Sequence, residues 1–214
     1  ASGLFHEDPQ EYVREALYYK SRGINCYKAH PSGPWELDME IHENIRKAVG
    51  PDMKLMSDPV AEYTLEEAVR VGRHLEKLGY EWLEEPFRDF ELNKYTQLCA
   101  ALDIPIAATE TTRGCHWGVA QVINQKAADI VRADVSWNCG VTGTLKIAHL
   151  AESFGMQCEI HTTTMNYMDL VNLHVSCAIR NCRYFEYFVP EEDFMFPMKG
   201  LLPIDEKGII TVPD

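Results

Sequence analysis

An α/β fold with parallel strands, closed as a (β/α)8-type TIM barrel, is predicted by two properties of this sequence. Seven short apolar segments each carry a polar residue capable of chemistry at or near their C-terminal end: His30, Asp58, Glu84 with Glu85, Glu110, Asp134, His161 and Glu186. From His30 onward the steps are 28, 26, 26, 24, 27 and 25 residues, the length that a strand, a helix and two loops need when parallel strands are joined by crossovers. The second property is the periodicity of what lies between. Apolar residues recur there at three and four, so helices alternate with strands, the pattern of a parallel sheet. Closure is favoured over an open sheet because a barrel aims every strand's C-terminal end at one mouth, whereas an open sheet has one crevice at its switch point.

In chain order, Pro9 to Ser21 reads as a helix, CYKAH as a strand ending at His30, and KLMSD as a strand ending at Asp58. Thr64 as N-cap, the stripe Leu65, Ala68, Val69, Gly72, Leu75 and Leu78, and Gly79 as a stop define the next helix. EWLEE is the strand carrying Glu84 and Glu85. Helical spacing returns over Leu92 to Leu102, Val119 to Ala127, Thr142 to Phe154 and Asp169 to Ile179. The strands between them are Ile106 to Ala108, Ile130 to Val131, QCEIH and RYFEYF; the central ones are near-continuous apolar runs, as parallel strands covered on both faces should be. The chain opens at ASG directly before the first helix, which predicts that most of the first barrel strand is absent, and it stops at TVPD after a hairpin signal in LLPIDEKGII. Residues 1–189 are therefore read as the barrel, incomplete at its N-terminus, and 190–214 as a C-terminal extension.

Composition narrows the partners. With 46% hydrophobic residues and no apolar run of membrane-spanning length, the chain reads as one compact domain. A net charge of −13 argues against nucleic acid or an acidic membrane surface. Seven cysteines without a CxxC pair indicate reduced thiols and a cytoplasmic location.

The ordered set Asp58, Glu84 in an EEP tripeptide, Glu110 in ATE, Asp134 ahead of GVTG, His161 and Glu186, with Lys28 and His30 in a Lys-x-base pair, resembles the mandelate racemase subgroup of the enolase superfamily. The resemblance covers nearly the whole chain. It implies a modified barrel, (β/α)7β, joined to an N-terminal capping domain that is missing from this chain and toward which residues 190–214 would pack. It further implies a homo-oligomer acting on a small carboxylate.

The chemistry can be tested against the residues themselves. A proton beside a carboxylate is too weakly acidic for a side-chain base unless the resulting enediolate meets strong positive charge. Asp58, Glu84 and Glu110 on three adjacent strands offer hard oxygens suited to Mg²⁺. Strand alternation lets only one glutamate of EEP point inward, and the resemblance assigns the ligand to Glu84. His161 is the candidate base, with Asp134 on the preceding strand to fix its tautomer. Glu186 is expected to hydrogen-bond the substrate carboxylate or enediolate if it is protonated. A lone histidine or carboxylate at such a position otherwise serves the fold, as a satisfied structural residue or a solvated carboxylate.

Three departures from the family pattern bear on mechanism. His30 stands where Lys-x-Lys is common, Val60 where many members have asparagine, and Cys139 precedes Gly140 where a Gly-Gly pair is frequent. His30 is either a second acid/base group or a hydrogen-bond partner for a substrate hydroxyl, and Lys28, the nearer resemblance to the family motif, is expected to hold the substrate carboxylate electrostatically. Trp35, Tyr63 and Trp137 fall in loops after strands, while His6, His42, His74, His116, His149 and His174 lack a motif partner. The sequence thus predicts a Mg²⁺-dependent sugar-acid dehydratase. The alternatives are a racemase or epimerase using His30 and His161 on opposite faces, and a non-catalytic barrel paralogue.

Overall fold

The computed structural model describes residues 1–31, 33–162, 167–194 and 204–212. Six strands form one parallel sheet in sequential order: β1 (Cys26–Ala29), β2 (Lys54–Ser57), β3 (Trp82–Glu84), β4 (Ile106–Ala108), β5 (Ile130–Ala133) and β6 (Gln157–Ile160). Helices alternate with them: α1 (Pro9–Ser21), α2 (Trp35–Val49), α3 (Leu65–Leu78), α4 (Leu92–Ala101), α5 (Cys115–Asn124), α6 (Gly140–Ser153), α7 (Tyr167–Ala178) and the short α8 (Glu191–Phe194). None of the helices among the described residues is long and apolar enough to cross a membrane.

Period-two alternation divides each strand between two environments. Tyr27, Ala29, Leu55, Leu83, Ile106 and Ala108 face the helices in one large core with Ile41, Ile45, Val71 and Leu75. Val131, Ala133, Cys158 and Ile160 do the same against α5 and α6. On the opposite face, Met56, Trp82, Ala107 and Ile130 form a separate apolar layer with Cys26 and Tyr184 against it. Above that layer the same face carries ionised side chains.

The helix α3 begins and ends as its sequence predicts. Thr64 and Glu67 form a reciprocal capping box, and Gly79 closes the helix in the left-handed region at φ 65°. In contrast, α5 starts four residues before the expected Val119, because Gly114 and Cys115 both take positive φ and turn the chain early. The strand expected in RYFEYF is extended chain with a single bridge at Phe188. That bridge runs to Ser2, which also bridges Lys28. The amide of Ser2 donates to Tyr187 O at 2.8 Å, that of Val189 to Ser2 O at 3.1 Å and that of Gly3 to Lys28 O at 3.0 Å. A few N-terminal residues therefore join β1 to the segment carrying Glu186.

Of the predicted hairpin, residues 201–203 lie outside the described residues, and Ile204 pairs with Ile210. Its turn rests on backbone: a Cβ on Gly23 would lie 2.0 Å from Glu206 O. Ile204, Ile210 and Val212 pack with Tyr19, Ile24, Leu173 and Phe188.

One buried contact fixes the end of β2. His42 of α2 hydrogen-bonds Ser57 Oγ at 2.8 Å through Nε2 and Tyr80 Oη at 3.1 Å through Nδ1. Burial pulls the His42 imidazole down from its ordinary 6.5 to about 3. Its unfolded form therefore binds a proton more readily, so stability is complete above pH 6.5 and falls as pH drops toward 3. Urea denaturation should show about 2 kcal/mol lost by pH 5 from this residue. A His42→Gln variant with the same slope would remove the assignment.

Candidate active site

Lys28, Glu84 and Arg132 sit on the non-helical face of β1, β3 and β5, with Asp58 just beyond β2 and Glu186 on the segment bridged by Ser2. All five are buried. Lys28 Nζ lies 2.6 Å from Glu84 Oε1, 2.6 Å from Glu186 Oε1 and 3.4 Å from Asp58 Oδ2. Arg132 contributes a second cation, 2.9 Å from Glu84 Oε1, 2.6 Å from Glu186 Oε2 and 3.6 Å from Glu110 Oε2. Two cations are thus shared among four carboxylates.

Electrostatics follow from that sharing. Burial alone would lower the Lys28 ammonium, but Glu186 and Glu84 outweigh it and hold Lys28 protonated. Burial would likewise raise Glu186, yet Lys28 and Arg132 keep its carboxyl well below the usual range. The hydrogen bond expected of Glu186 is conditional on protonation; flanked by two cations, Glu186 is instead an ionised acceptor, receiving also Ser2 Oγ–H at 3.0 Å and Thr162 N–H at 3.2 Å. Asp58 is held low, burial being outweighed by Lys28 and then His30.

The EEP pair separates as alternation requires. Glu84 joins the cations and accepts Trp82 Nε1–H at 2.7 Å. Glu85, at φ 39°, turns to accept the amides of Thr109 at 2.7 Å and Glu110 at 3.2 Å, strapping β3 to the end of β4. Burial and the neighbouring Glu110 push the Glu85 carboxyl well up.

His161 and Asp134 form the other half of the site. His161 Nδ1 lies 2.8 Å from Asp134 Oδ2, and its Nε2 faces Glu110 Oε2 at 3.7 Å. Asp134 Oδ1 accepts from Ser136 N at 2.6 Å and Asn172 Nδ2 at 3.1 Å, which locks the carboxylate. The Trp137 ring stacks on the imidazole at 4.5 Å. Burial pulls the His161 imidazole down, but Glu110 and Asp134 outweigh it and leave it raised. His30 lies across the cluster, with Nε2 3.2 Å from Asp58 Oδ2 and Nδ1 against the Gly3 carbonyl.

The structure thus brings all eight sequence-predicted residues, Lys28, His30, Asp58, Glu84, Glu110, Asp134, His161 and Glu186, into one connected network. Arg132, Asn138, Asn172 and Thr162 were not singled out in the sequence. Only Arg132 carried a visible signal, a lone cation inside an apolar strand two residues before Asp134.

Among the described residues no three His, Cys, Asp or Glu side chains already stand as a metal-ligating group; Lys28 and Arg132 lie between the carboxylates instead. The donor set nevertheless fits a hard divalent cation. Asp58, Glu84 and Glu110 offer carboxylate oxygens, and Glu110 Oε2 is buried without a hydrogen-bond partner. The acids also outnumber the fixed cations.

The Enolase C-terminal domain-like family matches residues 11–214. The chain is 32% identical over 210 residues to an arabinonate dehydratase of Saccharolobus solfataricus, covering 97% of this chain and 56% of that protein. It is 32% identical to a D-galactarolactone cycloisomerase of Agrobacterium fabrum, covering 100% of this chain and 60% of that protein. A crystal structure of D-glucarate dehydratase from Agrobacterium tumefaciens, complexed with magnesium, superimposes with a TM-score of 0.89 at 36% identity, covering 100% of this chain and 60% of that one. The chain therefore spans little more than half the length of these relatives.

Proposed function

The chain belongs to the Enolase C-terminal domain-like family, and from that premise we propose that it removes the proton α to a carboxylate in the dehydration of a sugar acid. The observation that carries this reading is the His161–Asp134 pair at 2.8 Å, buried beside a charged cluster. With Nδ1 committed to Asp134, Nε2 is the nitrogen free to take the proton, and Asp134 stabilises the imidazolium that forms. Lys28, held protonated by Glu186 and Glu84, supplies fixed positive charge for the substrate carboxylate. His30, across the cluster, donates a proton to the departing β-hydroxyl. Asp58, Glu84 and Glu110 would hold Mg²⁺, which when bound supplies the positive charge that makes the α-proton acidic enough to remove. The sheet is then the regular part of a (β/α)7β barrel over residues 1–189, with 190–214 as an extension and a capping domain enclosing the distal end of the substrate.

Dehydratase relatives at 32% and 36% identity support elimination as the overall reaction. The racemase reading draws on the presence of two histidines, His30 and His161, in one cluster. Incubating the protein with a panel of sugar acids and Mg²⁺ in D₂O separates the two: loss of water from one configuration is expected. Exchange into both enantiomers with no loss of water would overturn dehydration.

Metal binding has its own readout. At a hundredfold excess over its dissociation constant, Mg²⁺ should stabilise the fold by about 2.7 kcal/mol, seen as a rise in Tm. Glu110→Gln should abolish most of that rise. An equal rise in the variant would exclude Glu110 from the ligand set.

A further inference from the structure

Two cysteines meet where the helices α5 and α6 begin. Cys115 is the first residue of α5, and Cys139 is the N-cap of α6. A Cβ on Gly143 would lie 2.8 Å from both Cys115 Sγ and Cys139 Cβ, which puts the two side chains on either side of one small gap. Cys115 Sγ lies 3.6 Å from the Asn138 carbonyl, the group that precedes Cys139 in the chain, so the sulfur sits directly against the Cys139 backbone. Both residues hold left-handed backbone, at φ 54° and 65°, where a side chain costs about 1 kcal/mol relative to glycine. Neither cysteine is there for backbone comfort. Cys139 is exposed and Cys115 half-buried, so an oxidant from solvent reaches Cys139 first and Cys115 stands behind it to resolve the product.

We propose that Cys115 and Cys139 form a reversible dithiol–disulfide site that takes a peroxide as its oxidant. The Cys139 thiolate attacks one peroxide oxygen, breaking the O–O bond to give a sulfenic acid and, after protonation, one water. The Cys115 thiolate then attacks the sulfenic sulfur, forming the S–S bond and releasing the second water. Two thiols are oxidised by two electrons and one hydrogen peroxide is reduced. The bond would clamp the segment after β4 to the one after β5. Asn138, next to Cys139, accepts Asp134 N–H at 2.7 Å and donates to Glu110 O at 3.4 Å, so the clamp lies one residue from the group that orients both.

The test is peptide mapping of the full chain after hydrogen peroxide treatment, digested with trypsin without reduction. Residues 114–126 joined to 133–146, lighter by two hydrogen atoms and separated by dithiothreitol, is the expected product. Cys177→Ser should keep the link, while Cys115→Ser and Cys139→Ser lose it. The oxidised wild type should also melt about 5 °C higher than the reduced form, because the bond closes a loop of intermediate length, with no such shift in Cys139→Ser. Recovery of Cys139 as sulfinic or sulfonic acid with Cys115 unmodified, or linkage of Cys139 to another cysteine, would overturn the proposal.

Discussion

His161→Asn is expected to reduce solvent-deuterium exchange at the α-carbon of a sugar-acid substrate by about 10³-fold or more, since it removes the imidazole whose Nδ1 is held by the buried Asp134 carboxylate. The Mg²⁺-induced rise in Tm should survive, because the imidazole is not among the three proposed ligands. Asparagine is smaller, but its amide can still meet Asp134, so that carboxylate keeps a partner although Trp137 loses the ring it stacks on. Asp134→Asn keeps His161 but exchanges its acceptor for a group that also donates, which favours the wrong tautomer. Its loss should be large, by analogy with neutralising a triad aspartate. Undiminished exchange in His161→Asn would move the base to His30 and end the present assignment.

Arg132→Met is expected to cost about 3–5 kcal/mol in denaturant unfolding, the range for removing one partner of a buried ion pair. Glu84 and Glu186 would lose a shared cation while remaining buried, the half-buried Glu110 would lose it too, and Lys28 alone cannot neutralise them. Adding Glu186→Gln to that variant should restore part of the loss, since one orphaned charge is removed along with its partner. The two substitutions must therefore be non-additive. A cost below about 1 kcal/mol would mean that water or protons already compensate the cluster.

What the sequence made legible was what repeats. A constant step near 26 residues and a polar residue at each strand end suffice to place Asp58, Glu84, Glu110, Asp134 and His161 on neighbouring strands. The helix α3 could be bounded in advance because Thr64, Glu67 and Gly79 act locally, within one turn of the helix they cap. Arg132 was passed over because its meaning depends on three carboxylates on other strands, none within 20 residues. The protonation state of Glu186 stayed open for the same reason. A carboxylate's charge state is set by its neighbours in space, and Lys28 lies at the opposite end of the chain. Alternation alone left open which glutamate of EEP points inward; it is Glu84, the last residue of β3, while Glu85 follows at a positive φ that no residue type advertises.

The bridge from Ser2 to Phe188 has a consequence for how the molecule is assembled. Each of the five strand pairings joins neighbours one unit apart along the chain, so the sheet can grow by successive short-range additions. Joining residue 2 to residue 188 closes a loop about seven times longer than one such unit, at an additional entropic cost of about 1.7 kcal/mol. Contacts of that separation form late in a folding chain. Glu186 is delivered to Lys28 and Arg132 by that same step, so the charge balance of the pocket is completed only when residues 2 and 188 meet. Until then two cations face the pocket without one of the carboxylates they share, and the site matures last.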